Sequence, residues 1–388
     1  MLDVLIVGAG PAGSVAGAIL ARAGARVRIV DRVSFPRHKL CGDTINPGTL
    51  ARLRTLDLAR GIDERSLVVD GMRVTGEGGV TVEGRYPRGL SGRAITRHDL
   101  DWLLLQQAIA AGCQFEPGIA VRRAIVDGPS SAPAVSGALV DAPGRRESPI
   151  AARVTIAADG RHSTIAFGLG LARHPSRPRR WAVGAYFENF LPSGVGRLTV
   201  GEMHVRREHY VGVAPVPGNL TNVCLVKPSF GGDATLGDPA AALLRTLAHD
   251  PLLRDRAAGA RPIGSPVVLG PLAVDVRDAA IDGLLLAGDA AGFIDPITGD
   301  GLRFAISGGE LAAAAALQAL ARGWPGVHAN LAAERRRAFG AKWRFNRALR
   351  ALVASPRAID VAAIGARLAP AVVHAVIARA GDCALASR

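Results

Sequence analysis

The chain has 388 residues, 49% of them hydrophobic, which excludes a disordered polymer and allows two lobes with a tail. Its formal charge of +14 rests almost wholly on arginine, Lys39, Lys227 and Lys342 being the only lysines; with aromatics at 4%, no basic patch is interleaved with stacking rings, which excludes nucleic-acid binding. Cys41, Cys113, Cys224 and Cys383 make no C-x-x-C pair, so no zinc or iron–sulfur set is expected, and the usage suits a reducing cytoplasm.

The first apolar run has no basic segment ahead of it and leads into glycines, so it does not read as a signal peptide. Val4 to Val7 is a short β-rich run. Gly8, Gly10 and Gly13 follow as G-x-G-x-x-G, with Pro11 and Ala12 inside the motif, and Ser14 to Ala23 has helix-forming composition. Gly24 stops that helix, and Val27 to Val30 predicts a second strand closing on Asp31 and Arg32. The spacing has a chemical reason. Gly8 allows a tight turn, Gly10 lets backbone approach a pyrophosphate, Gly13 lets helix pack on strand, and the helix N-terminus supplies amides to the phosphates. Asp31, 23 residues after Gly8, stands where an acid accepts hydrogen bonds from an adenosine ribose and would repel a 2′-phosphate. The loop therefore reads as a site for FAD or NAD.

FPRHKLCGDTINPGTL, residues 35–50, places Arg37, Lys39 and the Cys41–Gly42–Asp43 triplet ahead of a short helix. RHDLDWLLLQQAIAAGCQF then has apolar residues three and four apart, an amphipathic helix stopped by Gly112. Core packing explains its leucines but not Arg97 ahead of them. Gly128 to Ser148 is rich in Pro, Gly and Ser and predicts a hairpin or loop excursion. Val154 to Ala157 reads as a buried strand delivering Asp159–Gly160, and alternating runs at Trp181–Phe187, Leu198–His204 and Val211–Lys227 predict antiparallel strands. In LLLAGDAAGFIDPITGDG, residues 284–301, an apolar strand ends in Gly288–Asp289 and bare glycines follow. Gly323 to Arg388 reads as two or three helices, with AERRRAFGAKWRFNRALRAL strongly basic on one face. Ile359 to Ala380 is broken by Asp360, Arg367, His374 and Arg379, too many charges for a bilayer span.

GAGPAG, the R-x-x-L-D helix, ADGRHS and LAGDAAGFIDPITGDG occur in that order and cover residues 1–45, 93–116, 151–171 and 280–325. In them the chain resembles the flavoprotein family that includes para-hydroxybenzoate hydroxylase, squalene epoxidase, flavin-dependent halogenases and geranylgeranyl reductases. The resemblance implies FAD. It implies that Asp289, after Gly288, accepts from the ribityl hydroxyls. The turn from Pro296 through Gly299 to Gly301, with a helix starting near Leu302, would set amides against the flavin pyrimidine. Arg97 would lie near the phosphate or ribityl portion, and Asp159 at the cofactor. The stretch FPRHKLCGD is similar to the geranylgeranyl reductases, which implies that Arg37 faces the FAD phosphates and Cys41–Gly42–Asp43 lies beside the isoalloxazine. GDAAG, where the aromatic hydroxylases more often show GDAAH, also looks like the reductase version. The halogenase G-W-x-W-x-x-P signature is absent from the sequence. Of the reductases' P-x-x-Y-x-W-x-F-P motif, Tyr210 and Pro215 remain while valine and alanine replace the bulky aromatics, which implies a wider apolar pocket.

The expected fold is α/β: a discontinuous Rossmann-like FAD lobe (1–65, 93–175 and 270–325), an inserted antiparallel-sheet substrate lobe (66–92 and 176–269) and C-terminal helices (326–388). The expected function is FAD-dependent reduction of C=C bonds in an apolar, isoprenoid-like substrate, with hydride from flavin N5 and NAD(P)H as electron donor. The alternatives are a single-component flavin monooxygenase and, outside enzymes, a non-catalytic FAD-binding protein. Cys41, Gly42, Asp43 and Tyr210 are the expected catalytic wall. The expected setting is cytoplasmic, with the basic tail available to an anionic lipid surface or a carrier protein.

Overall fold

A computed structural model describes residues 2–77, 81–176, 179–192, 199–228, 237–277, 280–294, 297, 299–353 and 370–386. Pro296 and Leu198 lie outside the described residues, as does the first half of Ile359–Ala380.

The first lobe is built on a seven-stranded sheet. Its strands run in the order Gln114–Pro117, Val27–Asp31, Leu2–Val7, Arg145–Ala157, Ala134–Ala142 and Ala120–Asp127, with Leu284–Leu286 added to Arg145–Ala157. The strands around Leu2–Val7 are parallel: Leu5 aligns with Arg28 on one side and Thr155 on the other, and Ile156 aligns with Leu285. A parallel sheet is covered on both faces, and the strand period of two sorts its side chains. Val4 and Ile6 join the core under the helices Pro11–Arg22 (α1) and Arg97–Ala110 (α3), while Leu5 and Val7 join a second core on the opposite face. The short helix Pro47–Thr55 (α2) lies between α1 and α3 in sequence. Gly128–Ser148 supplies the middle strand Ala134–Ala142, the turns on either side of it and the start of Arg145–Ala157, within an antiparallel meander made by the last three strands.

The second lobe is another seven-stranded sheet, ordered Arg261–Leu269, Arg180–Glu188, Leu220–Pro228, Tyr210–Val216, Val200–Val205, Gly71–Thr75 and Thr81–Arg85. All its pairs are antiparallel except Val200–Val205 with Gly71–Thr75. Alternation again decides its faces. Val183, Phe187, Val211 and Leu225 pack under the helix Pro239–His249 (α5, after the short Thr164–Gly168, α4), and Ala182, Tyr210 and Val226 face the other way, toward Leu40 and Ile297. Thr44–Ile45, Gly92–Ala94 and Leu67–Val69 form a small three-stranded sheet in that order.

Helix Gly301–Arg322 (α6) packs directly on α1: a Cβ on Gly309 would stand 2.3 Å from the Ala12 carbonyl oxygen. Among the described residues α6 is the one helix long and apolar enough to cross a membrane, yet Leu302, Ile306, Ala312 and Ala316 are buried in the protein core. Helix Val327–Val353 (α7) packs on α6, and Pro370–Ala380 (α8) lies against Thr81–Arg85, with Ile377 over Gly84. The tail is basic and exposed at Arg336, Arg337, Arg344 and Arg347, but Lys342 and Asn346 point inward and are buried. Those two are drawn in by fixed acceptors at the N-terminus of α6 and in the C-terminal turn.

Candidate cofactor and active site

One cavity runs between the lobes, from the glycine loop at Gly8 and Gly10 to Tyr210 on the second sheet. The three loop glycines do different work. Gly8 has φ +101°, and a Cβ there would stand 2.5 Å from the Ala158 carbonyl oxygen; a Cβ on Gly13 would stand 1.9 Å from the Gly8 oxygen. Those two are required by the protein's own packing. A Cβ on Gly10 would meet only the Arg37 guanidinium, at 3.5 Å, so the space before Gly10 is open to a ligand. Pro11 opens α1 with no side-chain cap on its amides. Asp31 pins the loop, accepting from the Ala9 amide at 2.9 Å and the Val33 amide at 3.1 Å. Pro11, Ala12 and Asp31 line the cavity, whereas Gly13 is buried behind it and Arg32 is exposed outside its wall.

Cations gather in the middle of the cavity. Thr96 caps α3, and Arg97 behind it is 5% exposed, donating to Asp101 at 2.6 and 2.8 Å. Arg37 reaches the same carboxylate at 3.1 Å, so the acid of the R-x-x-L-D array is the anchor of both arginines. Lys39 and Arg161 stand beside Asp289 on the same wall. Burial, then the neighbouring Arg97, pushes the Lys39 ammonium down to about 8, with Asp289 opposing. Burial likewise lowers Arg161, whose buried Nη1 has no hydrogen-bond partner. Buried donors are seldom left unpaired, and an orphaned guanidinium nitrogen on a wall shared with Arg37, Lys39 and Arg97 fits an anionic group. Asp159 accepts from the Thr164 amide at 2.8 Å and is raised by burial. Sequence reading passed over Arg161, although it lies inside ADGRHS.

The Cys41–Gly42–Asp43 corner is locked from the second lobe. Asp43 has φ +51°, a left-handed conformation that Asp tolerates better than most residues. Its side chain is fully buried behind the wall that Cys41 and Gly42 line. One carboxylate oxygen accepts from the Tyr186 hydroxyl at 2.5 Å and from Asn222 at 2.8 Å; the other has no partner. Asn222 also donates to the Cys41 carbonyl at 2.6 Å. Burial raises the Asp43 carboxyl to about 7, against the lowering pull of Tyr186, Arg97 and Asn222. The corner therefore takes up and releases a proton far closer to neutral pH than an exposed carboxylate does. Arg97 faces the Cys41 thiol, and Cys224, two residues along from Asn222 and on the same strand face, is pushed up to about 12 by burial. Tyr210 is 3% exposed, amid Ala182, Val226 and Leu272. Tyr186 and Asn222 escaped the sequence reading; the one signal was a polar Asn222 in step with Cys224 and Val226 on an otherwise apolar strand face.

Gly288–Asp289 and the start of α6 close the far side. Gly288 at φ +60° turns the chain so that Asp289 faces the cavity, and Gly299, at φ +66°, with Gly301 and Leu302 brings the start of α6 to the same wall.

A family model described as FAD binding domain matches residues 1–344. The chain belongs to that FAD-binding family. Menaquinone reductase of Mycobacterium tuberculosis is 31% identical over 346 residues, spanning 84% of this chain and 80% of that protein. Geranylgeranyl diphosphate reductase of Rhodobacter capsulatus is 30% identical over 336 residues, spanning 83% and 77%. In fold the flavoprotein is similar to the flavin-dependent brominase Bmp2, with TM-score 0.84 at 22% identity over 98% of this chain and 94% of the other. The protein is an FAD-dependent oxidoreductase with a Rossmann-type α/β fold.

Proposed function

We propose that this flavoprotein reduces C=C bonds in an apolar, isoprenoid-like substrate, drawing electrons from NAD(P)H. The observation that carries the reading is the Cys41–Asp43 corner: the buried Asp43 carboxyl, locked by Tyr186 and Asn222, lies behind Cys41 and Gly42, which line the cavity together with the apolar Val69, Met72, Ala182, Val226, Leu269 and Leu272. Reduction of a double bond consumes a hydride and a proton in a dry site, and such a wall suits both needs.

In this reading the α1 amides, Arg37 and Arg161 hold the FAD diphosphate. Asp31 retains free lone pairs for a ribose hydroxyl besides its two amides. Asp289 takes the ribityl hydroxyls, and Gly299, Gly301 and Leu302 present amides to the pyrimidine. FAD supplies hydride transfer once reduced. Cys41 and Gly42 form the wall beside the substrate, Tyr210 its floor, and Asp43 the proton reserve behind them. The similarity to proteins named as menaquinone and geranylgeranyl diphosphate reductases supports an isoprenoid chain as the occupant.

Flavin reduced without oxygen should be reoxidised by a C=C-bearing isoprenoid alone, geranylgeranyl diphosphate and menaquinone being the first to offer, with product heavier by two hydrogens. Reduced flavin that persists with every such compound, followed by one labelled atom in product when labelled dioxygen enters, makes the enzyme a monooxygenase.

A further inference from the structure

The N-terminus of α6 carries a buried acid that its own helix does not use. Asp300, between the cavity-lining Gly299 and Gly301, is 1% exposed and its side chain caps no amide of α6. Its carboxylate is instead met from the tail: Lys342 on α7 stands 3.1 Å from one oxygen and Asn346 donates to the other at 3.0 Å. Lys342 is itself buried and donates to the carbonyls of Arg379 and Ala380 at 2.8 and 2.9 Å. Asp382 follows in that turn, 3.4 Å from Lys342 and 2.8 Å from Arg303 on α6. Two carboxylates and two cations thus balance inside the protein, drawn from the start of α6, from α7 and from the C-terminal turn.

A helix N-terminus offers roughly half a positive charge to a ligand, and a bare carboxylate beside it would cancel that. Lys342 offsets Asp300, so the helix end stays positive where Gly301 and Leu302 meet the cavity. We infer that Lys342 is a positioning residue which, through Asp300, sets the electrostatic potential at the α6 N-terminus and with it the preference of the site for reduced over oxidised flavin. This rests on the reading that α6 faces the flavin pyrimidine, where the reduced ring carries its negative charge.

The test is the ratio of dissociation constants for reduced and oxidised FAD, read together with the reduction potential of the bound flavin. Lys342→Met should weaken reduced FAD relative to oxidised by roughly tenfold and lower the potential, the size expected of one unit charge about 10 Å away at an effective dielectric near 20. Asp300→Asn should shift both in the opposite direction, and the pair of changes together should return them toward the parent. Asp382→Asn, which relieves Lys342 and Arg303 of a competing anion, should also favour reduced FAD, and it carries the test if Lys342→Met fails to fold. A purely structural role weakens both forms of FAD equally, and an unchanged ratio in Lys342→Met and Asp382→Asn overturns the inference. If Asp300→Asn shifts the ratio and those two do not, the placement of α6 stands and the role of Lys342 falls. If Asp300→Asn is also silent, the placement of α6 against the pyrimidine is what fails.

Discussion

Two helix N-termini meet in one cavity, and they are made in different ways. The α1 end is local: strand, glycine turn and helix lie within Leu2–Arg22, no acid sits in its first turn, and its amides are bare. The α6 end is assembled. Its buried Asp300 is neutralised by Lys342 and steadied by Asn346, while Asn46 of the α2 cap approaches within 3.5 Å. A binding end built from contiguous residues leaves a spacing in the sequence. One built from segments far apart leaves only scattered polar residues, each unremarkable alone.

If that contrast is right, substitution at the local end should be the most damaging. Gly13→Ala puts a methyl 1.9 Å from the Gly8 carbonyl, a backbone atom that cannot yield, so it should lose FAD and cost stability by ~3 kcal/mol or more. Gly10→Val should still fold, since its side chain enters open space beside Arg37, but should not turn yellow. Thermal unfolding with flavin absorbance separates the two; a Gly10→Val protein that keeps stoichiometric FAD breaks the phosphate-loop reading.

The corner at Asp43, also assembled, gives a smaller and pH-dependent effect. Its carboxyl titrates at about 7 when folded against an ordinary 3.8, so the folded state keeps a proton that the unfolded chain has released. Stability should therefore fall as pH rises from about 4 to about 7 and be flat above, the slope following the proton difference between states. Asp43→Asn, neutral throughout and tolerant of the left-handed backbone, should remove that decline, gaining on the parent by on the order of a few kcal/mol across the window. Melting curves at intervals of pH check it, and parallel curves for the two proteins would contradict a buried proton at Asp43.

The smallest effect is expected at the assembled helix end. A Cβ on Gly301 would meet only the Phe293 ring edge, at 3.6 Å. Gly301→Ala should keep FAD affinity within about threefold, a difference under 1 kcal/mol. A loss as large as that of Gly10→Val would mean that the backbone at α6 approaches the cofactor as closely as the α1 loop does.

Legible in the sequence alone were the glycine loop with its acid at Asp31, the strand that ends at Asp289 and the alternating strands of the second lobe. Each rests on a period or spacing within some thirty residues, where chain geometry forces neighbours in sequence to be neighbours in space. It is packing that makes Asp101 the anchor of two arginines, closes Tyr186 and Asn222 from two strands on Asp43, and buries Lys342 as a counter-ion. Those pairings join carboxylates to partners brought together by packing, and a buried charge is satisfied by whichever partner the fold brings within about 3 Å, at whatever distance it lies along the chain.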